Sequence, residues 1–162
     1  MDRSTSAAIE AWLTVHDAQP LAIVVTLGIQ AIPTFAESIR QRFAFPSAHV
    51  GSELGEVLLD SKPGRRIRDV ERWLVGQCRE ANDRPLLLTD VDLLFHPNLD
   101  PGSSARLDQL ALFTKASRMC PLLVLWPGEF DGSTLSYAVP EHGHYRYWRN
   151  PQAHIIQQRA GI

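Results

Sequence analysis

The hydrophobic positions of this chain fall into two alternating patterns. Uninterrupted apolar runs occupy residues 21–27 (LAIVVTL), 86–88 (LLL) and 122–126 (LLVLW). Runs of this length, bounded by turn residues, are the pattern of strands buried on both faces of a parallel sheet. Between them, apolar residues recur at helical spacing. Ile9, Trp12 and Leu13 share one face of a helix that the Ser4-Thr5-Ser6 cluster can cap and that ends by Gln19-Pro20. Pro33 suits a first helical turn, and Phe35, Ile39 and Phe43 follow as its buried stripe. A short strand near residues 48–50 leads into a helix over 52–59 using Leu54, Val57 and Leu58, closed by the turn Lys62-Pro63-Gly64. Ile67, Val70, Leu74 and Cys78 mark a helix over 65–82. Ser103 and Ser104 can cap another that uses Leu107, Leu110 and Ala111. Residues 134–139 alternate as an edge strand would, and Asn150-Pro151 reads as the start of a last helix through Gln158.

Strands thus alternate with helices, which predicts an α/β three-layer sandwich around a mainly parallel sheet. In such a fold, ligands bind outside the carboxyl ends of the strands. Nothing marks a domain boundary, so the chain reads as one domain: an N-terminal helix in 1–20, a core over 21–140 and a basic, aromatic tail over 141–162.

Composition narrows the classes. The 162 residues are 44% hydrophobic and 21% charged, the profile of an ordinary globular domain. Cys78 and Cys120 have neither metal-site spacing nor the density of a disulfide scaffold, and no stretch approaches a membrane span. A cytoplasmic protein without membrane contact is expected. Of the 16 basic residues only Lys62 and Lys115 are lysines; the rest are arginine.

That scarcity bears on the first candidate site. A phosphate-binding loop needs Gly-x-x-x-x-Gly-Lys-[Ser/Thr], whose amides wrap the phosphates while the lysine neutralises them. The stretch after the first apolar run, with Thr26, Gly28, Gln30 and Thr34 as the residues of a degenerate loop, has one glycine, no lysine and Pro33 near the helix start. The second candidate is Asp90 and Asp92, acids just past a buried strand, where a carboxylate can hold Mg²⁺ or position a water. The third is the tail from His142 onward, which has no acid but three Arg, three His and several aromatics. His142 and His144 alternate as ligands might, yet only Glu141 or the distant Asp90 or Asp92 could complete a set, so no metal site is assigned. Aromatic and Arg side chains together suit a protein interface. Arg65, Arg66, Arg68 and Arg72 form a local basic face in a chain whose net charge of −2 exerts no general pull on nucleic acid. Motifs of serine, cysteine and zinc hydrolases do not occur.

Several patches carry a resemblance. Residues 86–97 (LLLTDVDLLFHP), Ala116-Ser117-Arg118, Leu125-Trp126-Pro127-Gly128-Glu129 and residues 135–146 (LSYAVPEHGHYR) resemble BrxF, the small P-loop protein of some BREX bacteriophage-exclusion systems. The likeness spans roughly residues 20–150, with its specific patches after residue 85. It implies an ASCE-type P-loop NTPase fold, a cytoplasmic antiviral role and work inside a multi-subunit, DNA-associated complex. Aligned on Leu94-Phe95, the family's metal-binding aspartate falls on Thr89, and Asp92 takes the place of a following acid. With the lysine also missing, the expectation is a pseudo-ATPase that needs no cofactor and binds other subunits. Its contact residues are expected to be Trp126, Glu129, His142, His144, Tyr145, Arg146 and Trp148. Two alternatives stand beside it: an active subunit binding ATP and Mg²⁺ that a neighbour completes, and a DNA-contacting adaptor using Arg65, Arg66, Arg68 and Arg72 with the tail arginines. A homo-oligomer is compatible with each.

Overall fold

The computed structural model describes residues 1–25, 31–138 and 144–158. In chain order these form α1 (Arg3–Leu13), β1 (Leu21–Val25), α2 (Ile32–Phe43), β2 (Ser47–His49), α3 (Val50–Leu59), α4 (Arg66–Ala81) and β3 (Leu86–Thr89). A 3-10 turn (Val91–Phe95), α5 (Gln109–Ser117), β4 (Leu122–Trp126), β5 (Gly128–Phe130), β6 (Thr134–Tyr137), β7 (Arg146–Arg149) and β8 (His154–Gln157) complete the chain. β1, β2, β3, β4 and β8 build one parallel sheet in the order β2-β3-β4-β1-β8; β5, β6 and β7 build a small antiparallel sheet.

The apolar runs fill both faces of the parallel sheet, as expected. Leu21, Ile23 and Val25 point into one core with Leu122, Val124 and the inner faces of α3, α4 and α5. Ala22 and Val24 point into the other with Leu123, Leu125, Ile9 and Trp12 of α1 and Phe35 and Ile39 of α2. Each Leu, Ile or Val so enclosed contributes about 1.5–3 kcal/mol. The result is a three-layer α/β sandwich. Cys78 and Cys120 are free, buried thiols on the α4 and α5 side; their mutual hydrogen bond, with burial, pushes the Cys120 thiol up. No helix among the described residues is long and apolar enough to cross a membrane.

Several local expectations are corrected. Asp2, not the Ser4-Thr5-Ser6 cluster, caps α1: its carboxylate accepts the Thr5 N–H at 2.6 Å, while Thr5 and Ser6 are buried. Asp108, not Ser103 or Ser104, caps α5 by accepting the Ala111 N–H at 3.0 Å. The serines lie in the preceding loop, where Ser103 Oγ accepts from the Ala105 amide. Val57 is 39% exposed, because α3 buries only Val50, Leu54 and Leu58. β6 is the central strand of the small sheet rather than an edge. The expected last helix is strand β8, aligned along β1 from Ala22↔His154 to Val25↔Gln157. An open edge on the fully apolar β1 is a stronger determinant than a proline that could begin a helix.

The two sheets join at Trp126, whose indole N–H donates to the Ser136 carbonyl at 2.9 Å. Gly128 makes that approach possible, since a Cβ there would run into the Ser136 carbonyl and the Trp126 indole nitrogen. Gly128→Ala is therefore expected to destabilise the protein by about 2 kcal/mol or more, because overpacking a closed contact costs about 1–3 kcal/mol. Urea unfolding reads this as a lowered midpoint; an unchanged midpoint would show that the junction has slack.

Candidate functional site

The carboxyl end of β3 carries the acidic pair. Thr89, the last residue of β3, is buried beside His49 of β2 in the strand register. Asp90 follows with φ +53°, in the left-handed region that Asp tolerates better than most residues. Its carbonyl accepts the Gly51 amide at 3.0 Å, and a Cβ on Gly51 would collide with its carboxylate. Glycine at the start of α3 thus lets Asp90 lie across the helix end. His49 Nδ1 stands 3.4 Å from Asp90 Oδ2, and the same nitrogen accepts the Ser52 N–H at 3.3 Å.

Asp92 begins the 3-10 turn. The Tyr137 hydroxyl donates to Asp92 Oδ1 at 3.5 Å, and the Tyr137 ring stacks on Phe95 with centroids 4.0 Å apart. Burial, and then the neighbouring Asp90 charge, pushes the Asp92 carboxyl above its ordinary range. Burial and the Asp92 charge likewise raise the Tyr137 phenol.

Both acids line a cavity of about 290 Å³ with Thr89, His49, Pro33, Ala36 and Arg40. It opens where a parallel α/β sheet ordinarily binds ligands. Its guanidinium is already committed: Arg40 donates twice to Glu37 Oε2, at 2.8 and 3.0 Å, and holds the Glu37 carboxyl below its ordinary range. Neither lysine lines it. Lys115 on α5 pairs with Glu71 at 3.6 Å, and Lys62 is exposed in the turn before α4. Two carboxylates could hold a divalent cation only with further ligands, and among the described residues no group of three or more His, Cys, Asp and Glu is arranged to hold a metal ion.

The other sequence candidates scatter. Thr26, Gly28, Gln30, Glu141 and His142 lie outside the described residues. Thr34 is exposed on α2, away from the cavity lining. Trp126 is fully buried and is a core residue, not a contact; Trp148 packs against it at 5.4 Å and against Phe95 at 6.4 Å. Arg146 lies over the Trp148 ring and donates to the Leu107 carbonyl. His144 and Tyr145 are half-buried, and Glu129 is exposed on β5. Tyr147 and Arg149 belong to the tail candidate but not to its expected single contacts, and β7 turns both outward: Tyr147 is 53% exposed, with the Tyr145 ring stacked at 5.8 Å and the Arg149 guanidinium 5.9 Å above it. The alternation from residue 145 to 149 was the signal for them. His49 and Arg40 carried no local signal, since only strand pairing and helix packing bring them to Asp90.

Fold and cleft together define a three-layer α/β protein with an acidic pair at the carboxyl edge of its parallel sheet. Compared with known protein families, with curated proteins and with solved structures, the chain shows no match in any of the three.

A carboxyl whose native pKa is raised opposes folding once the pH exceeds its unfolded pKa, because the native state then retains a proton that the unfolded state has released. Asp92→Asn removes that opposition. The variant is expected to melt a few degrees higher than the parent at pH 7, the gain vanishing as the pH falls below the ordinary aspartate value of 3.8. Thermal melts across that range test this; a loss of stability at pH 7 would mean that the Tyr137 contact outweighs the burial of charge.

Proposed function

We propose that the protein is a degenerate ASCE-type P-loop relative that serves as a protein-binding subunit of a BREX-type antiphage complex, without ATP hydrolysis of its own. One observation carries the reading: among the described residues, the cavity at the carboxyl edge of the sheet holds two carboxylates, and its one guanidinium, on Arg40, is paired with Glu37. The sheet supports the fold half of it. Counted along the chain, its parallel strands run 5-1-4-3-2, with an additional strand, β4, between β1 and the acid-bearing β3, and an inserted strand of this kind is what the ASCE class is named for. Fold outlasts chemistry readily, so this order is compatible with a lost activity. The patches that resemble BrxF motivate the antiphage context.

The contact surface is the outer face of the small sheet. Glu129, Ser136 and Tyr147 stand in cross-strand register there, and Arg149 is beside them. Exposed Tyr and Arg are the side chains that most often dominate interface energy.

Two measurements test the proposal. Titration with ATP and Mg²⁺ is expected to show no saturable binding to the isolated protein; binding that Asp92→Asn weakens would replace this reading with that of an active nucleotide site. Replacing Tyr147 and Arg149 by Ala is expected to weaken association with the products of neighbouring defence genes at least tenfold while the melting temperature stays put. Undiminished association would move the interface elsewhere.

A further inference from the structure

The outer face of α4 has no partner among the described residues. Arg65, at its N-cap, and Arg68, Arg72 and Arg79 recur at i, i+3, i+7 and i+14, and the helical period of 3.6 gathers them on one side. That side lies opposite Val70, Leu74, Cys78 and Ala81, which face the core. All four arginines are exposed, and none of their guanidiniums makes a hydrogen bond, ion pair or ring contact with any described residue. At 1.5 Å per residue the row extends about 21 Å. Arg66 does not belong to it: it is half-buried, with its Nε enclosed.

The acids near the row are mostly occupied. Asp69 accepts the Ser61 hydroxyl at 2.6 Å, and Glu71 pairs with Lys115; Glu80, at the far end beside Arg79, is exposed. At the near end, Ile67 of the first turn lines a cavity of about 180 Å³ together with Arg106 and Arg146. The acid lining that cavity, Asp100, is buried and bonded to the amides of Gly64 and Ile67. Those bonds leave its negative charge in place, so two guanidiniums against one carboxylate add a single net positive charge beyond the helix.

Gly76 is an independent sign. It sits on the same side of α4 between Arg72 and Arg79, and a Cβ there would have nothing within 4 Å. Glycine in a helix interior weakens the helix, and no packing among the described residues asks for it. What it leaves is a bare patch of backbone in the middle of a cationic row.

We infer that the outer face of α4 binds the sugar-phosphate backbone of duplex DNA, with Arg65, Arg68, Arg72 and Arg79 on phosphates and Gly76 allowing close approach. Unpaired guanidiniums recognise phosphate oxygens bidentately. The row carries no aromatic side chain on which an unstacked base could lie, so contact with the backbone of a duplex, without sequence preference, is the mode that fits.

The test is fluorescence anisotropy with a labelled duplex of arbitrary sequence, the matching single strand, and vesicles containing phosphatidylserine as competitor, at several salt concentrations. The duplex is expected to bind at low salt, more tightly than the single strand, with log K falling linearly against log salt at a slope of about −0.9 per phosphate engaged. Arg68→Ala with Arg72→Ala is expected to weaken binding at least tenfold and to flatten that slope by about 1.8, the share of two phosphates. Gly76→Gln is expected to weaken binding without lowering the melting temperature. These arginines are exposed, so the variants should fold, and circular dichroism verifies it. Absence of binding at low salt, an unchanged slope in the double variant, tighter binding to the single strand, or vesicles competing as well as duplex would each overturn the inference.

Discussion

The burial of Trp126 is the constraint on which the rest of this structure hangs. As the last residue of β4 it belongs to the parallel sheet, yet its indole N–H is satisfied by Ser136 in the antiparallel one. A buried indole without an acceptor is costly, so the small sheet must close over it. Its ring also meets Phe95 at 5.2 Å and Phe113 at 6.4 Å, both nearly edge-on. Phe95 ends the turn that carries Asp92 and stacks on Tyr137, whose hydroxyl reaches the Asp92 carboxylate. One side chain thereby sets the angle between two sheets and the height of an acid above the cleft.

The parts of the fold legible in the sequence are those where a single force acts. Residues 86–88 and 122–126 are apolar throughout because both faces of the sheet are covered, and no other conformation buries such a short run so completely. The pattern at Ile67, Val70, Leu74 and Cys78 is equally direct, since α4 packs along one stripe. Reading fails where two local signals compete and a distant partner decides. Residues 150–158 offer a proline able to start a helix and a pair of isoleucines able to sit in a strand; the exposed edge of β1 selects the strand. Ser4, Thr5, Ser103 and Ser104 are all competent caps, and Asp2 and Asp108 prevail because their carboxylates reach the free amides. At the cleft, Asp90 and Asp92 were visible from their place after an apolar run. The histidine and arginine that share the cavity arrive through pairing of β2 with β3 and packing of α2, which leave no local trace.

Two carboxylates in a half-enclosed cleft form a costly arrangement, and the backbone explains its retention. Asp90 takes a left-handed conformation that most residues avoid, and its carbonyl receives the first free amide region of α3 through Gly51. The backbone at this position therefore has a structural duty independent of any ligand.

The strand order has a kinetic consequence. β1, the first strand in the chain, is held between β4 and β8, the fourth and last strands of the sheet, so both its neighbours lie roughly a hundred residues or more downstream. During synthesis an apolar segment covered by nothing but α1 and α2 must wait while most of the protein emerges. Topologies dominated by such distant pairings fold slowly and expose adhesive surface in the interval. In this protein the segment most exposed to that hazard is β1, whose strand partners are the last of the sheet to be made.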